Sequence, residues 1–101
     1  MNKEEAIEKL REVIKPNDTL WTQVHHVTKS GMTRYIGVRL LKDNYPYNYT
    51  FHVAKALGWK LSDKHEGVKV GGCGMDMGFH LIYSLSHVLY GDGYAIKQSW
   101  L

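Results

Sequence analysis

Residues Thr19 to Lys42 read "TLWTQVHHVTKSGMTRYIGVRLLK", and the way this stretch pairs with itself decides the fold. Two runs rich in β-branched and aromatic residues, "TLWTQVHHVT" and "TRYIGVRLLK", flank "KSGM", and Ile36, Val38 and Leu40 alternate with a period of two. Alternation of that kind puts every second side chain on one face of a strand. Ser-Gly is a tight-turn pair, so the stretch is predicted to be a β-hairpin turning at Ser30 and Gly31. If those two residues form the whole loop, Lys29 faces Met32 and the register counts back from there. Trp21, Gln23, His25, Val27, Arg34, Ile36, Val38 and Leu40 then share one face. A three-residue loop would exchange His25 for His26.

On the N-terminal side, Asn2 precedes "KEEAIEKLREVIK", where Ala6, Ile7, Leu10, Val13 and Ile14 recur at helical spacing, acids lead, bases close and Pro16 follows. An amphipathic helix is predicted there. On the C-terminal side, "KDNYPYNY" reads as an aromatic loop. "TFHVAKALG" reads as a short helix with Thr50 at or near its cap and Gly58 past its end. Trp59 to Leu61 and Gly67 to Val70 read as short strands around the turn-rich "SDKHEG". From about Asp76 to Tyr90, Met77, Leu81, Leu85 and Val88 form an apolar line that Phe79, Ile82, Tyr83 and Leu89 widen, so a long buried helix is predicted, stopped by Gly91. A last extended segment carries Tyr94, Ile96 and Trp100 and is suited to a sheet edge. The predicted class is α+β: one small domain over residues 1–101. Its antiparallel sheet is built on the hairpin and packed against the long helix of the C-terminal half and the N-terminal amphipathic helix.

The chain is long enough for one core and too short for two. A single cysteine, Cys73, excludes an intramolecular disulfide framework and a multi-cysteine zinc site. No apolar run approaches the roughly 20 residues of a membrane span, and "MNKEEAIEKL" lacks the features of a signal peptide, so a cytoplasmic protein without a membrane partner is expected. The net charge of +3 permits an anionic ligand. It is too small an excess to argue for nucleic acid as the partner and has the wrong sign for a DNA mimic.

The chemistry concentrates around "GGCGMDMGFH". Glycines after a strand let backbone amides turn towards a guest, and the start of a helix adds free N–H donors, an arrangement suited to phosphate or carboxylate. Gly72, Cys73 and Gly74 are candidate ligand contacts by this argument, and Gly71 and Gly78 belong to the same pattern. The plain alternative is tight turning and close helix-to-sheet packing. The string has neither the lysine of a P-loop nor Rossmann spacing. Asp76 and His80 lie four apart on one stripe with Ser84 and His87, so Asp76 suits a helix cap, a partner for His80, or an acceptor for ribose hydroxyls. The plain reading of both histidines is structural. Opposite, the turn supplies His26, Ser30 and Arg34. The Arg34 guanidinium on a core face needs a partner, either Asp76 or a ligand anion.

Three strings, "SGMTR", "VAKALGWK" and "GGCGMDMGFHLIYSLSHVLYGDGY", together with the final "WL", resemble a family of small proteins encoded by bacteriophages and prophages. The resemblance runs from about residue 24 to 101 and leaves the N-terminal helix, residues 1–16, outside. It covers Ser30, Gly31, Met32 and Arg34 in the hairpin, and Gly72, Gly74 and residues 75–80 at the head of the long helix. It implies a phage origin, a place in the cytoplasm of the bacterial host and a role in infection or lysogeny, and it leaves the chemistry open.

The expected function is therefore a phage accessory protein that holds a small anionic, nucleotide-like ligand between the hairpin turn and the glycine loop, sequestering a signal of host antiviral defence. Ser30, Arg34, His26, Gly72, Cys73, Gly74, Asp76 and His80 are its ligand-binding residues, with Tyr35, Trp59 or a tyrosine of "YPYNY" stacking on a base. The alternative is an inhibitor that binds a host or defence enzyme through the tyrosines from Tyr45 to Tyr49. A nucleic-acid module ranks below these, because the head of the long helix carries glycines and an aspartate where lysines are needed. A hydrolase ranks there too: Cys73 with His80, Asp76 with His80, or a metal on Asp76, His80 and His25 or His26 each make an incomplete constellation. No catalytic residue, metal or cofactor is assigned, and a homo-oligomer is compatible with all of this.

Overall fold

The N-terminal run folds as its spacing predicts. The computed structural model describes residues 2–29, 32–42, 47–61, 67–70 and 74–101, with the backbone alone at 25–29, 32–36, 47 and 74–75. Helix α1 spans Lys3–Val13, and the Asn2 side chain accepts the Glu5 amide at 2.8 Å, satisfying one of the helix's free donors. Its carbonyl end is held by lysines. Lys15 Nζ donates to Arg11 O at 2.9 Å, and Lys42 Nζ donates to Val13 O.

Strands β1 (Thr19–Lys29) and β2 (Met32–Lys42) form the predicted hairpin. Lys29 pairs with Met32 and Thr28 with Thr33, as a two-residue turn requires, although Ser30 and Gly31 themselves lie outside the described residues. One step further the register slips. Val27 pairs with Tyr35, which leaves Arg34 as an extra residue on β2, a β-bulge. A one-residue slip exchanges the faces of everything beyond it. Leu20, Thr22 and Val24 of β1, and not the expected Trp21 and Gln23, therefore oppose Lys42, Leu40 and Val38. Burial agrees: Leu20, Thr22, Val38 and Leu40 are wholly buried, while Trp21 and Gln23 are partly exposed. The same slip pairs His26 with Ile36 and His25 with Gly37.

The other edge of β2 takes β3 (Tyr47–Asn48) beside Leu41 and Lys42, and β4 (Val68–Val70) beside Ile36 to Val38, both antiparallel. Strand β5 (Lys97–Trp100) pairs with the outer edge of β1 and runs parallel to it, from Thr19↔Lys97 to Thr22↔Trp100. The sheet is thus mixed where a purely antiparallel one was expected, within the α+β class. Parallel neighbours need a long crossover, which the chain from β2 through the last helix supplies.

Helix α2 (Thr50–Leu57) starts one residue after Tyr49 and ends at Gly58, whose φ of 72° is the left-handed closure a glycine provides without strain. Buried Thr50 ties it to the sheet by accepting the Leu40 amide at 2.9 Å. Helix α3 spans Gly74–Tyr90. All three helices lie on one face of the sheet, where Leu10, Ile14, Val53, Leu81, Leu85 and Leu89 meet Leu20, Val38, Leu40 and Val68 in a single core.

The buried line of α3 is rotated from the predicted one. Leu81, Ile82, Leu85, Ser86 and Leu89 are buried, Met77 and Val88 are half-buried, and Phe79 and Tyr83 stand 48% and 40% exposed. The rotation is set by Ser86, wholly buried because its Oγ donates to Ile82 O at 2.8 Å and accepts the Ile96 amide at 3.2 Å, clasping α3 to the last segment. Thr22 Oγ1 completes the clasp from β1 by donating to Ser99 O and accepting from Gln98 Nε2. Among the described residues no helix is long and apolar enough to cross a membrane.

Candidate functional site

The pairing of Val70 with Ile36 directs the chain leaving β4 towards the turn of the hairpin, and α3 begins at Gly74, four residues later. His26, Ile36 and Val70 form one row across three strands, and the bulge at Arg34 is two residues beyond it. Topology thus brings the backbone at His26 and Arg34 and the head of α3 to the same end of the sheet. Gly72 and Cys73 lie outside the described residues, as do Gly71 and Ser30. Asp76 and His80 are exposed, with no hydrogen bond between them, and His87 further along the same stripe is exposed as well. That is the plain reading of a solvated helix face.

Gly78 is reassigned. A Cβ there would come within 2.5 Å of the Trp100 ring and 3.3 Å of Gln98 Nε2, so this glycine serves to seat Trp100 and leaves no opening for a guest. The tyrosine loop is partly reassigned too. Tyr49 packs half-buried against the core, and Tyr45 and Pro46 lie outside the described residues.

The open space is at Trp59, the residue after the left-handed Gly58, anchored by its amide on Ala54 O at 3.0 Å. On one flank a hollow of about 360 Å³ is lined by Trp59, Lys60, Lys69 and Val70 of β4, and Met77 in the first turn of α3. The Lys69 amide donates to Lys60 O at 2.6 Å, which holds the two lysines side by side. On the other flank a hollow of about 570 Å³ runs between α1 and α2, with Lys3, Phe51, Ala54, Lys55 and Leu61 around the same indole. Among the described residues no acidic side chain lines either one.

A third recess, about 280 Å³, separates α3 from β5. Phe79, Tyr83 and Tyr94 form a row over it, with ring centroids 6.3 Å and 5.3 Å apart, and Tyr83 rests on Gly93 in the way Trp100 rests on Gly78.

Sequence reasoning identified Trp59 and passed over the lysines. Their signal was visible in "KALGWK", where Lys55 and Lys60 bracket the tryptophan, and in "VKV", where an alternating strand turns one lysine out. The contribution of Lys3, distant in sequence, was not visible there. Compared with family models, curated proteins and solved structures, the chain matches none.

Proposed function

We propose that the chain binds a small planar anion of the nucleotide kind in the hollow between Trp59 and the head of α3. The lining supports this reading: an indole wall, an apolar floor of Val70 and Met77, and the two lysines Lys60 and Lys69. Bases stack on indole faces whatever their sequence, and ammonium groups attract phosphate as point charges. The volume falls within the roughly 300–1,000 Å³ of small-ligand pockets. Arg34 and His26 on the hairpin, and Gly74, Asp76 and His80 on α3, stand at the same end of the sheet as candidates for a second rim.

The resemblance to phage-encoded proteins makes a nucleotide-derived signal of the infected host the first ligand to try, and stoichiometric capture is the mechanism that needs no catalytic group. Titration of the purified chain with mononucleotides, dinucleotides and ADP-ribose, read by tryptophan fluorescence and thermal shift, is the test. Saturable quenching and a raised Tm are expected, both weakened by Lys60→Ala, Lys69→Ala and Arg34→Ala. A flat response to every nucleotide ends the reading.

A second reading rests on a different observation. The row of Phe79, Tyr83 and Tyr94, with Trp100 37% exposed, borders β5, which has no strand on its outer side among the described residues. An apolar row beside an unpaired edge suits a partner protein that adds a strand, as an inhibitor of a host enzyme would use it. Copurification of one protein in stoichiometric amount, lost on Tyr94→Lys, is expected from it. Copurification unchanged by that substitution rules this surface out.

A further inference from the structure

Trp59 walls two hollows at once, and the proposed function uses only one of them. The second is the larger, and two features of it, Phe51 and Lys3, are unexplained by folding. Phe51 is 54% exposed on the first turn of α2, an apolar ring left facing solvent at the rim. Its ring meets the neighbouring His52 ring edge-on, with centroids 5.7 Å apart. Lys3 is the first residue of α1, where a cation opposes the helix macrodipole, so its charge is not there to stabilise the helix. Lys55 stands across the same hollow, and Glu4 and Glu5 of the neighbouring turn do not line it.

The two flanks of Trp59 therefore repeat one chemistry: an aromatic wall, an apolar floor and a pair of lysines. Val70 and Met77 lie with Lys60 and Lys69 on one side, and Ala54 and Leu61 with Lys3 and Lys55 on the other. A mononucleotide occupies one such half. Resting on the reading above, we infer that the ligand is a dinucleotide, one base against each flank of the Trp59 ridge, with its phosphates shared between the two lysine pairs. Joining two halves makes the second contact intramolecular, so affinity rises through effective concentration without a new kind of contact.

The probes are adenosine monophosphate (AMP) and the 5′-phosphorylated dinucleotide of adenosine, titrated against the wild-type chain and the double variant Lys3→Ala/Lys55→Ala. Both lysines are exposed, so the variant is expected to keep the wild-type Tm. The expected result is dinucleotide binding at least tenfold tighter than AMP. The double variant should bring the dinucleotide down to the AMP level while leaving AMP binding within twofold. A dinucleotide no tighter than AMP, or one whose affinity the double variant leaves unchanged, overturns the inference and leaves the single-hollow reading standing. Failure of both probes to bind overturns both. A ten-nucleotide adenosine strand separates the two sources of this chemistry: tighter binding per site than the dinucleotide assigns the step to a single strand, and equal or weaker binding assigns it to a free dinucleotide.

Discussion

Two tryptophans of this chain stand in opposite circumstances. Trp100 sets the outer edge of its ring against Gly78 of α3, in a seat that a single methyl group would fill, and its strand is fastened by Thr22, Ser86 and Gln98. Trp59 packs half-buried against the core and still borders two hollows. An aromatic ring that fills its seat contributes to stability, whereas one that leaves room on both faces is available to a guest. The contrast also separates the glycines. Gly78 and Gly93 make room for rings of the same chain, so the glycine content around α3 overstates how much backbone is offered to a ligand.

The comparison is broken most severely at Ser86. Its hydroxyl is buried and is the acceptor for the Ile96 amide, so Ser86→Ala strands a buried N–H and is expected to cost about 1–3 kcal/mol in urea unfolding. Nucleotide affinity should not change. The matching substitution across the molecule, Lys60→Ala, is exposed and is expected to move stability by less than about 0.5 kcal/mol while weakening the ligand. If Ser86→Ala unfolds at the wild-type urea midpoint, the clasp is not what holds β5.

Gly78→Ala sharpens the same contrast at a smaller cost. Alanine favours a helix interior over glycine by about 1 kcal/mol, but its methyl group collides with the outer edge of the Trp100 ring. The two effects oppose each other, so a net change of less than about 1 kcal/mol is expected, together with displacement of Trp100. The indole N–H resonance of Trp100, assigned with Trp100→Phe, should move. If it stays in place, the ring does not occupy the seat described.

These positions also show what was legible in the sequence. Helical period, the Asn2 cap and the glycines at the helix ends located α1, α2 and α3, because each signal is local. The hairpin was legible as a hairpin and its turn as a turn. Its faces were not, because one extra residue at Arg34 reverses the partner of every β1 residue beyond it, and nothing in "TRY" announces a bulge. The stripe of α3 was misjudged for a related reason. Periodicity ranks Phe79 and Tyr83 as core, but a buried serine bonded to the last segment rotates the helix and turns both rings outward. At the candidate site Trp59 was legible as one of several aromatics able to stack on a base, and the lysines beside it were passed over. The pairing of its two hollows was not legible, since Lys3 and Lys69 reach it only through tertiary packing.

The smallest effect is expected at Asp18, remote from both tryptophans, where α1 meets the sheet. Partial burial pushes its carboxyl upward. The Lys15 amide at 2.8 Å and the Lys42 ammonium at 2.9 Å outweigh that push and hold the carboxyl below the ordinary 3.8. A carboxylate with a lowered folded pKa contributes stability that is present above its unfolded pKa, near 3.9, and lost as pH falls through the folded value. Asp18→Asn keeps an oxygen for the Lys15 amide and removes the charge that faces Lys42. The expected loss near neutral pH is a few tenths of a kcal/mol to about 1, as for exposed ion pairs, reduced by salt. Below the carboxylate range the wild-type and variant unfolding curves should converge. A gap that persists at pH 2, or widens there, would mean that the side chain contributes through its shape alone. Because Asp18 touches neither hollow, its substitution should leave nucleotide binding unaltered at every pH where the chain is folded.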